Sequence, residues 1–228
     1  MEKILVTGAT GGIGCAVVAA LKQHQIQVAV HGRTESRLAE MFPEESRHAG
    51  DLITPGVAAS VVDSAWESLG GLDAVIHCVG VGLIQPAAET SDADFSRVLN
   101  INTRATFLVA QAACRRMAEQ KRGLFVTFPG ILGRSVMKNA AAYCASKFAV
   151  AGMLKVFAQE YQRAGIRFSL LYLGGVDTPF WDSLAMKVQR EKMIPPSVVA
   201  EWVLQTVQAP PHLVMNELVV QPDSHQLF

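Results

Sequence analysis

Tyr143 and Lys147 stand four residues apart in the run Tyr143-Cys144-Ala145-Ser146-Lys147. On a helix that spacing brings both side chains to one face. An ammonium near a phenol favours the phenolate and draws its titration toward the range useful for acid–base work. Such a tyrosine can give a proton to a carbonyl oxygen during reduction, or take one from an alcohol during oxidation. The same spacing arises wherever a helix packs a tyrosine and leaves a lysine in water, so the pair gains meaning only from its surroundings.

A second constellation lies near the start of the chain. The segment Lys3-Ile4-Leu5-Val6-Thr7-Gly8-Ala9-Thr10-Gly11-Gly12-Ile13-Gly14 reads as a strand, a glycine-rich turn and a helix start. In that pattern Gly8 turns the chain, Gly12 admits a ligand closely, and Gly14 lets helix and strand approach. Thr10 and Ile13 complete the turn, whose free amides would face a dinucleotide pyrophosphate. After the next strand comes Gly32-Arg33-Thr34 with no acidic residue at the strand tip. Arg33 is placed to pair with the extra phosphate of NADP, so NADP is expected ahead of NAD; the alternative is an ordinary solvated arginine. Asp51 and Leu52 follow the third strand, where an acceptor and an apolar edge could meet adenine, although Asp51 could equally cap its own turn. Gly80, after the fourth strand, leaves room where a β-carbon would crowd the cofactor.

Short β-branched runs alternate with helix-length amphipathic segments from one end of the chain to the other. Candidate strands cover 3–7, 26–31, 47–50, 74–78, 124–128, 167–172 and 213–220; most are apolar on both faces, as in a parallel sheet covered on each side. Helices read most clearly at 12–24, 92–120, 140–164 and 197–207, with Ser197 as an N-cap after two prolines. Between 95 and 117, Phe95, Val98, Leu99, Phe107, Leu108 and Ala112 supply a broad apolar face, and Arg104, Arg115 and Arg116 prefer water. The expected fold is α/β: one doubly wound, Rossmann-like domain over residues 1–228, with a seven-stranded parallel sheet and helices on both faces.

Half of the 228 residues are hydrophobic, and 20 basic side chains balance 20 acidic ones. A core of useful size is available, while a broad basic face for nucleic acid is not expected. Cys15, Cys78, Cys114 and Cys144 are scattered, with no spacing that suits a metal. No secretory pattern and no stretch approaching bilayer-spanning length is apparent, which points to a cytoplasmic protein with no membrane partner.

Three segments in this order resemble the short-chain dehydrogenase/reductase family over essentially the whole chain: Thr7–Gly14 as its TGxxxGxG turn, Leu99-Asn100-Ile101-Asn102 as its asparagine segment, and Tyr143–Lys147 as its YxASK motif. The resemblance implies that Tyr143 is the general acid or base and that Lys147 binds the nicotinamide ribose hydroxyls and lowers the tyrosine pKa. It implies that Asn102 helps hold an ordered water and the proton-relay geometry. It also implies that Thr178, in Leu173-Gly174-Gly175-Val176-Asp177-Thr178-Pro179, meets the nicotinamide carboxamide, with Leu173 where the family has proline. Gly130 stands where the family carries a catalytic serine, so a hydroxyl that would polarise the substrate oxygen is missing; a backbone amide, a water, the substrate or Ser135 is left to compensate. His77-Cys78-Val79-Gly80 replaces an NNAG-like segment, and His77 reads as structural rather than metal-binding.

The function that follows is an NADP-dependent oxidoreductase interconverting a small-molecule alcohol and carbonyl by hydride transfer. A dinucleotide-sensing or scaffold protein and a reductase-like isomerase or dehydratase remain as alternatives. Residues 179–196, with Phe180, Trp181, Leu184 and Met186, read as a substrate lid or as an amphipathic core helix. A homodimer or homotetramer through helices near 95–117 and 140–164 is the assembly the resemblance implies.

Overall fold

The computed structural model describes residues 1–184, 186–224 and 226–227. Seven strands, β1 (Lys3–Thr7), β2 (Gln27–Gly32), β3 (Ser46–Ala49), β4 (Ala74–His77), β5 (Gly123–Thr127), β6 (Ile166–Leu173) and β7 (Glu217–Val220), form one sheet in the order β3-β2-β1-β4-β5-β6-β7. Every pairing is parallel. The fold is therefore the doubly wound, Rossmann-like α/β architecture, with its topological switch between β1 and β4, where such sheets open a crevice at the strand carboxyl ends.

Alternate residues of the central strands feed two separate cores. Leu5, Val75 and Phe125 face one side, under α3 (Val57–Leu69), α5 (Ala105–Glu119) and α6 (Ala141–Tyr161). Ile4, Val6, Ile76 and Val126 face the other, where Val17, Val18 and Leu21 of α1 (Gly12–Gln23) meet Val199, Val203 and Val207 of α7 (Pro196–Gln208). Burial on both faces explains why these strands are continuously apolar. A short α2 (Glu35–Met41) and α4 (Asp92–Leu99) complete the helices used below.

Several boundaries differ from expectation, each for a local reason. The single helix expected over 92–120 is broken by a π turn at Asn100–Arg104 between α4 and α5. Helix α7 starts at Pro196, so Ser197 lies within its first turn and is not the cap. The last strand is confined to Glu217–Val220, because residues 213–216 do not pair as strand. Phe95 and Phe107 remain 40% and 38% exposed instead of joining the core, and Phe107 shares a shallow surface hollow with Met153, Val156 and Phe157. Finally, the 24 residues Ala141–Ala164 are long and apolar enough to cross a bilayer, contrary to the sequence expectation. Here the helix packs on the sheet through Val150, Leu154 and Phe157, and it buries Lys147.

Candidate active site

The glycine turn is shaped by close contacts that side chains would prevent. Gly8 has φ +72°, and a β-carbon on it would lie 3.0 Å from the Cys78 carbonyl carbon, so the turn and the chain leaving β4 come together only around glycine. A β-carbon on Gly14 would collide with the Gly8 carbonyl oxygen and reach 2.8 Å from Ala9 Cα, which fixes α1 tightly against the turn. On Gly12 it would sit 2.5 Å from Thr178 Cγ2, so this glycine also admits the turn that follows β6. No side chain caps α1. Its first amides, at Gly12, Ile13 and Gly14, line a cleft of about 680 Å³ together with Thr10.

The charged lining of that cleft is one-sided. Arg33, Arg37, Lys147, Lys187 and Lys192 line it, with no carboxylate among the described lining residues. Arg33 is exposed and makes no ion pair among the described residues, whereas the nearby Glu35 is held 3.1 Å from Arg47. Arg37, which sequence reading missed, approaches the Thr10 carbonyl at 3.5 Å. Thr34 is exposed just before α2. An uncapped helix start and unpaired cations fit the phosphates of a dinucleotide. One expected contact lies elsewhere. Leu52 is only 3% exposed and packs in the core with Val61 and Val62, so its side chain offers adenine no apolar edge. Asp51 is exposed and accepts the Ile53 amide at 3.2 Å, which is the turn-capping role.

Helix α6 brings Tyr143 and Lys147 to the same cleft, with the Lys147 Nζ 5.6 Å from the centre of the Tyr143 ring. Lys147 Nζ donates to the Phe128 carbonyl at 2.9 Å, and burial lowers its pKa to about 8. Burial, followed by the neighbouring Cys144, raises the Tyr143 pKa, the opposite direction to the lowering that the resemblance implies. Gly80 closes the floor: a β-carbon there would stand 3.4 Å from both Lys147 Nζ and Asn102 Oδ1.

Asn102 is 1% exposed and acts on the site's frame. Its amide accepts from Val81 N at 2.8 Å and donates to Val81 O and Ser146 Oγ at 2.9 Å each, while Ser146 Oγ donates to Tyr143 O at 2.7 Å. The π turn thus ties the 80–82 loop to the helix bearing Tyr143. His77, also 1% exposed, braces that turn from behind. Thr106 Oγ1 donates to Asn102 O at 2.5 Å, which leaves it to accept from His77 Nε2–H at 3.0 Å; His77 Nδ1 then accepts from Thr7 Oγ1 at 2.7 Å. Burial, followed by the charges of Lys147 and His31, lowers the His77 pKa to about 3. Among the described residues no His/Cys/Asp/Glu cluster could hold a metal.

Gly130 lies on the cleft with φ +68° and ψ 171°. Ser135 is 7% exposed and is not among the cleft-lining residues, so it does not bring its hydroxyl to this position. The segment after β6 forms two 3₁₀ turns, Pro179–Ser183 and Arg190–Lys192, rather than a core helix. Phe180 comes 6.1 Å from the Tyr143 ring, and Phe180 and Leu184 press on Gly82, where a side chain would not fit. Arg190 knots the segment by donating to Asp177, to Asp182 and to the Thr178 carbonyl.

The sequence pattern described as short chain dehydrogenase matches residues 2–189. The chain belongs to this family. Membership of the short-chain dehydrogenases brings with it the family's general oxidoreductase activity and its nicotinamide-dinucleotide-binding fold. An uncharacterized oxidoreductase of Staphylococcus aureus is 28% identical over 223 residues, 96% of each chain, and one of Staphylococcus saprophyticus is 26% identical over 226 residues with the same coverage. Among solved structures, an alcohol dehydrogenase from the archaeon Thermococcus sibiricus complexed with 5-hydroxy-NADP superposes with a TM-score of 0.89 at 23% identity, covering 99% of both chains. A 3-ketoacyl-(acyl-carrier-protein) reductase from Brucella melitensis complexed with NADH reaches the same score at 19% identity, covering 97% of both. At those identities the two structures speak to the fold alone. One carries an NADP derivative and the other NADH, so they leave the choice of cofactor to this chain's own residues.

Proposed function

We propose that this protein is an NADP-dependent oxidoreductase that interconverts a small-molecule alcohol and carbonyl. The observation that carries the reading is the meeting of Tyr143, Lys147 and the uncapped start of α1 in one cleft whose charged lining, among the described residues, is cationic. Gly12, Ile13 and Gly14 would offer amides to the pyrophosphate, Arg33 and Arg37 would hold the 2′-phosphate, and Thr178 would hold the carboxamide end. The bound dinucleotide supplies or accepts the hydride. Tyr143 Oη gives its proton to the substrate oxygen in reduction and takes it back in oxidation, with Lys147 contributing positive charge and a ribose contact. The raised pKa keeps Tyr143 in its protonated form, the form that reduction consumes. Residues 179–196 act as a lid that keeps water from the reacting atoms.

Turnover of NADPH with a panel of aliphatic and cyclic ketones tests this: Tyr143→Phe should lose nearly all activity while still binding NADP. Activity at the parent rate would defeat the assignment. Gly130, which brings no hydroxyl, favours a second reading, a dinucleotide sensor; tight NADP binding with no turnover across the panel would select it.

The exposed Phe107 and Val156 beside Met153 and Phe157 support pairing of two copies across α5 and α6. A monomeric mass in light scattering at every concentration would reject that. Four free thiols support residence in a reducing compartment, the cytoplasm.

A further inference from the structure

The lid bounds the cleft beside Tyr143, but a second segment reaches the same place from β7. Gly174 N donates to Val220 O at 2.8 Å, and a β-carbon on Gly174 would lie 2.7 Å from Pro222 Cδ. The absence of a side chain at 174 is what lets residues 221–222 cross close to the end of β6. Beyond the crossing, Gln221 folds the chain back on itself: its Oε1 accepts from Leu227 N at 2.7 Å and its Nε2 donates to Leu227 O at 3.0 Å. One side chain thereby satisfies both main-chain groups of Leu227. The clamped Leu227 packs against a small apolar cluster of Ile131, Leu132, Ala140 and Cys144, separate from the two main cores, and Met137 and Tyr143 pack against that same cluster. It also lines the cleft.

We infer that Leu227, held by Gln221, is a specificity-determining residue that limits how large a group the substrate can carry on its carbonyl beside Tyr143. The inference rests on the carbonyl-reductase reading and goes beyond it by fixing a size limit and the residue that sets it. An apolar wall made of one leucine discriminates by volume. Substrate groups that overlap its side chain are excluded, and smaller ones leave apolar contacts unmade. The wall is held by the Gln221 side chain, so shortening either the leucine or the glutamine should enlarge the pocket; Tyr143 packs against the same cluster, and the large-to-small ratio cancels any effect on proton transfer common to both ketones.

The test uses Leu227→Ala, Leu227→Trp and Gln221→Ala with a graded series of ketones from cyclopentanone to cyclododecanone. For each protein the kcat/KM ratio of large to small ketone is measured with NADPH, and ketone binding is followed by saturation-transfer NMR with NADP present. Leu227→Ala should raise the large-to-small ratio by roughly tenfold or more, since each methylene in an apolar pocket changes selectivity by about that factor. Gln221→Ala should move it the same way and Leu227→Trp the opposite way, with NADP affinity unchanged in all three. A size ratio unchanged within about twofold in every variant would overturn the assignment. If no ketone is turned over yet the binding preference shifts as described, the redox reading fails and the wall stands. A parent protein that neither binds nor reduces any of the series refutes both.

Discussion

Gly130→Ser sets a torsional cost against a chemical gain. With φ +68° and ψ 171°, Gly130 occupies a region of backbone space that only glycine enters freely. Space is not the obstacle, because an added β-carbon would find only the Leu173 carbonyl oxygen, at 3.6 Å. The cost is therefore conformational, about 1–3 kcal/mol. For a chain of this length, about 1 kcal/mol lowers Tm by roughly 2–4 °C, so the variant should melt about 2–12 °C below the parent. Under the proposed carbonyl chemistry and the serine position implied by the family resemblance, the gain is a hydroxyl on the cleft; a hydrogen bond from it to the substrate oxygen would contribute about 3 kcal/mol to the transition state, or roughly a hundredfold in rate. Thermal unfolding and steady-state NADPH oxidation, the latter well below both transitions, read the two effects separately. The expected variant is less stable and faster, by up to about a hundredfold in kcat. A Tm equal to the parent's would refute the backbone reasoning. An unchanged or lower kcat in a folded variant would show that the missing hydroxyl does not limit the reaction.

Lys147 is buried with its pKa lowered from 10.5 to about 8. Between those values the unfolded chain binds a proton that the folded one has released, so this group makes stability rise with pH across the window, by about 3 kcal/mol in all. Lys147→Met should flatten that rise in denaturant titrations from pH 7.5 to 11. His77, lowered from 6.5 to about 3, works at the acid end: as pH falls through that range the unfolded chain gains a proton that the folded one refuses, and stability drops. His77→Asn should therefore keep a larger fraction of its pH 7 unfolding free energy at pH 4 than the parent does. Arg33→Ala should weaken NADP binding by about tenfold to a hundredfold, the worth of a charge-assisted contact, and leave NAD binding unchanged in calorimetry.

The parallel sheet was legible because strands such as β1, β4 and β5 are buried on both faces and carry little but apolar residues. The glycine turn was legible because a strand, a tight turn and a helix start demand glycines at those spacings, whereas the Tyr143–Lys147 pair was legible only in its order relative to that turn. What the sequence concealed depends on contacts across the chain. At the π turn of Asn100–Arg104, Asn102 spends its amide on Val81 and Ser146, a bond pattern with no periodic trace. Leu52 looks like any apolar residue after a strand, and only the packing of α3 shows that it faces inward. Phe95 and Phe107 fit a helical stripe, but periodicity does not say whether the stripe meets the core or another copy. Arg37 lacked a signal because its approach to Thr10 depends on how α2 leaves β2. The raised pKa of Tyr143 follows from burial, which spacing on a helix does not reveal.

A crystal of the protein grown with NADP measures most directly whether the amides beginning α1 receive the dinucleotide. The pyrophosphate should lie within hydrogen-bond reach of Gly12, Ile13 or Gly14, the 2′-phosphate against Arg33, and the nicotinamide beside Tyr143 and Lys147. A cleft still empty at millimolar NADP, or a dinucleotide bound elsewhere with that helix start bare, would contradict the account.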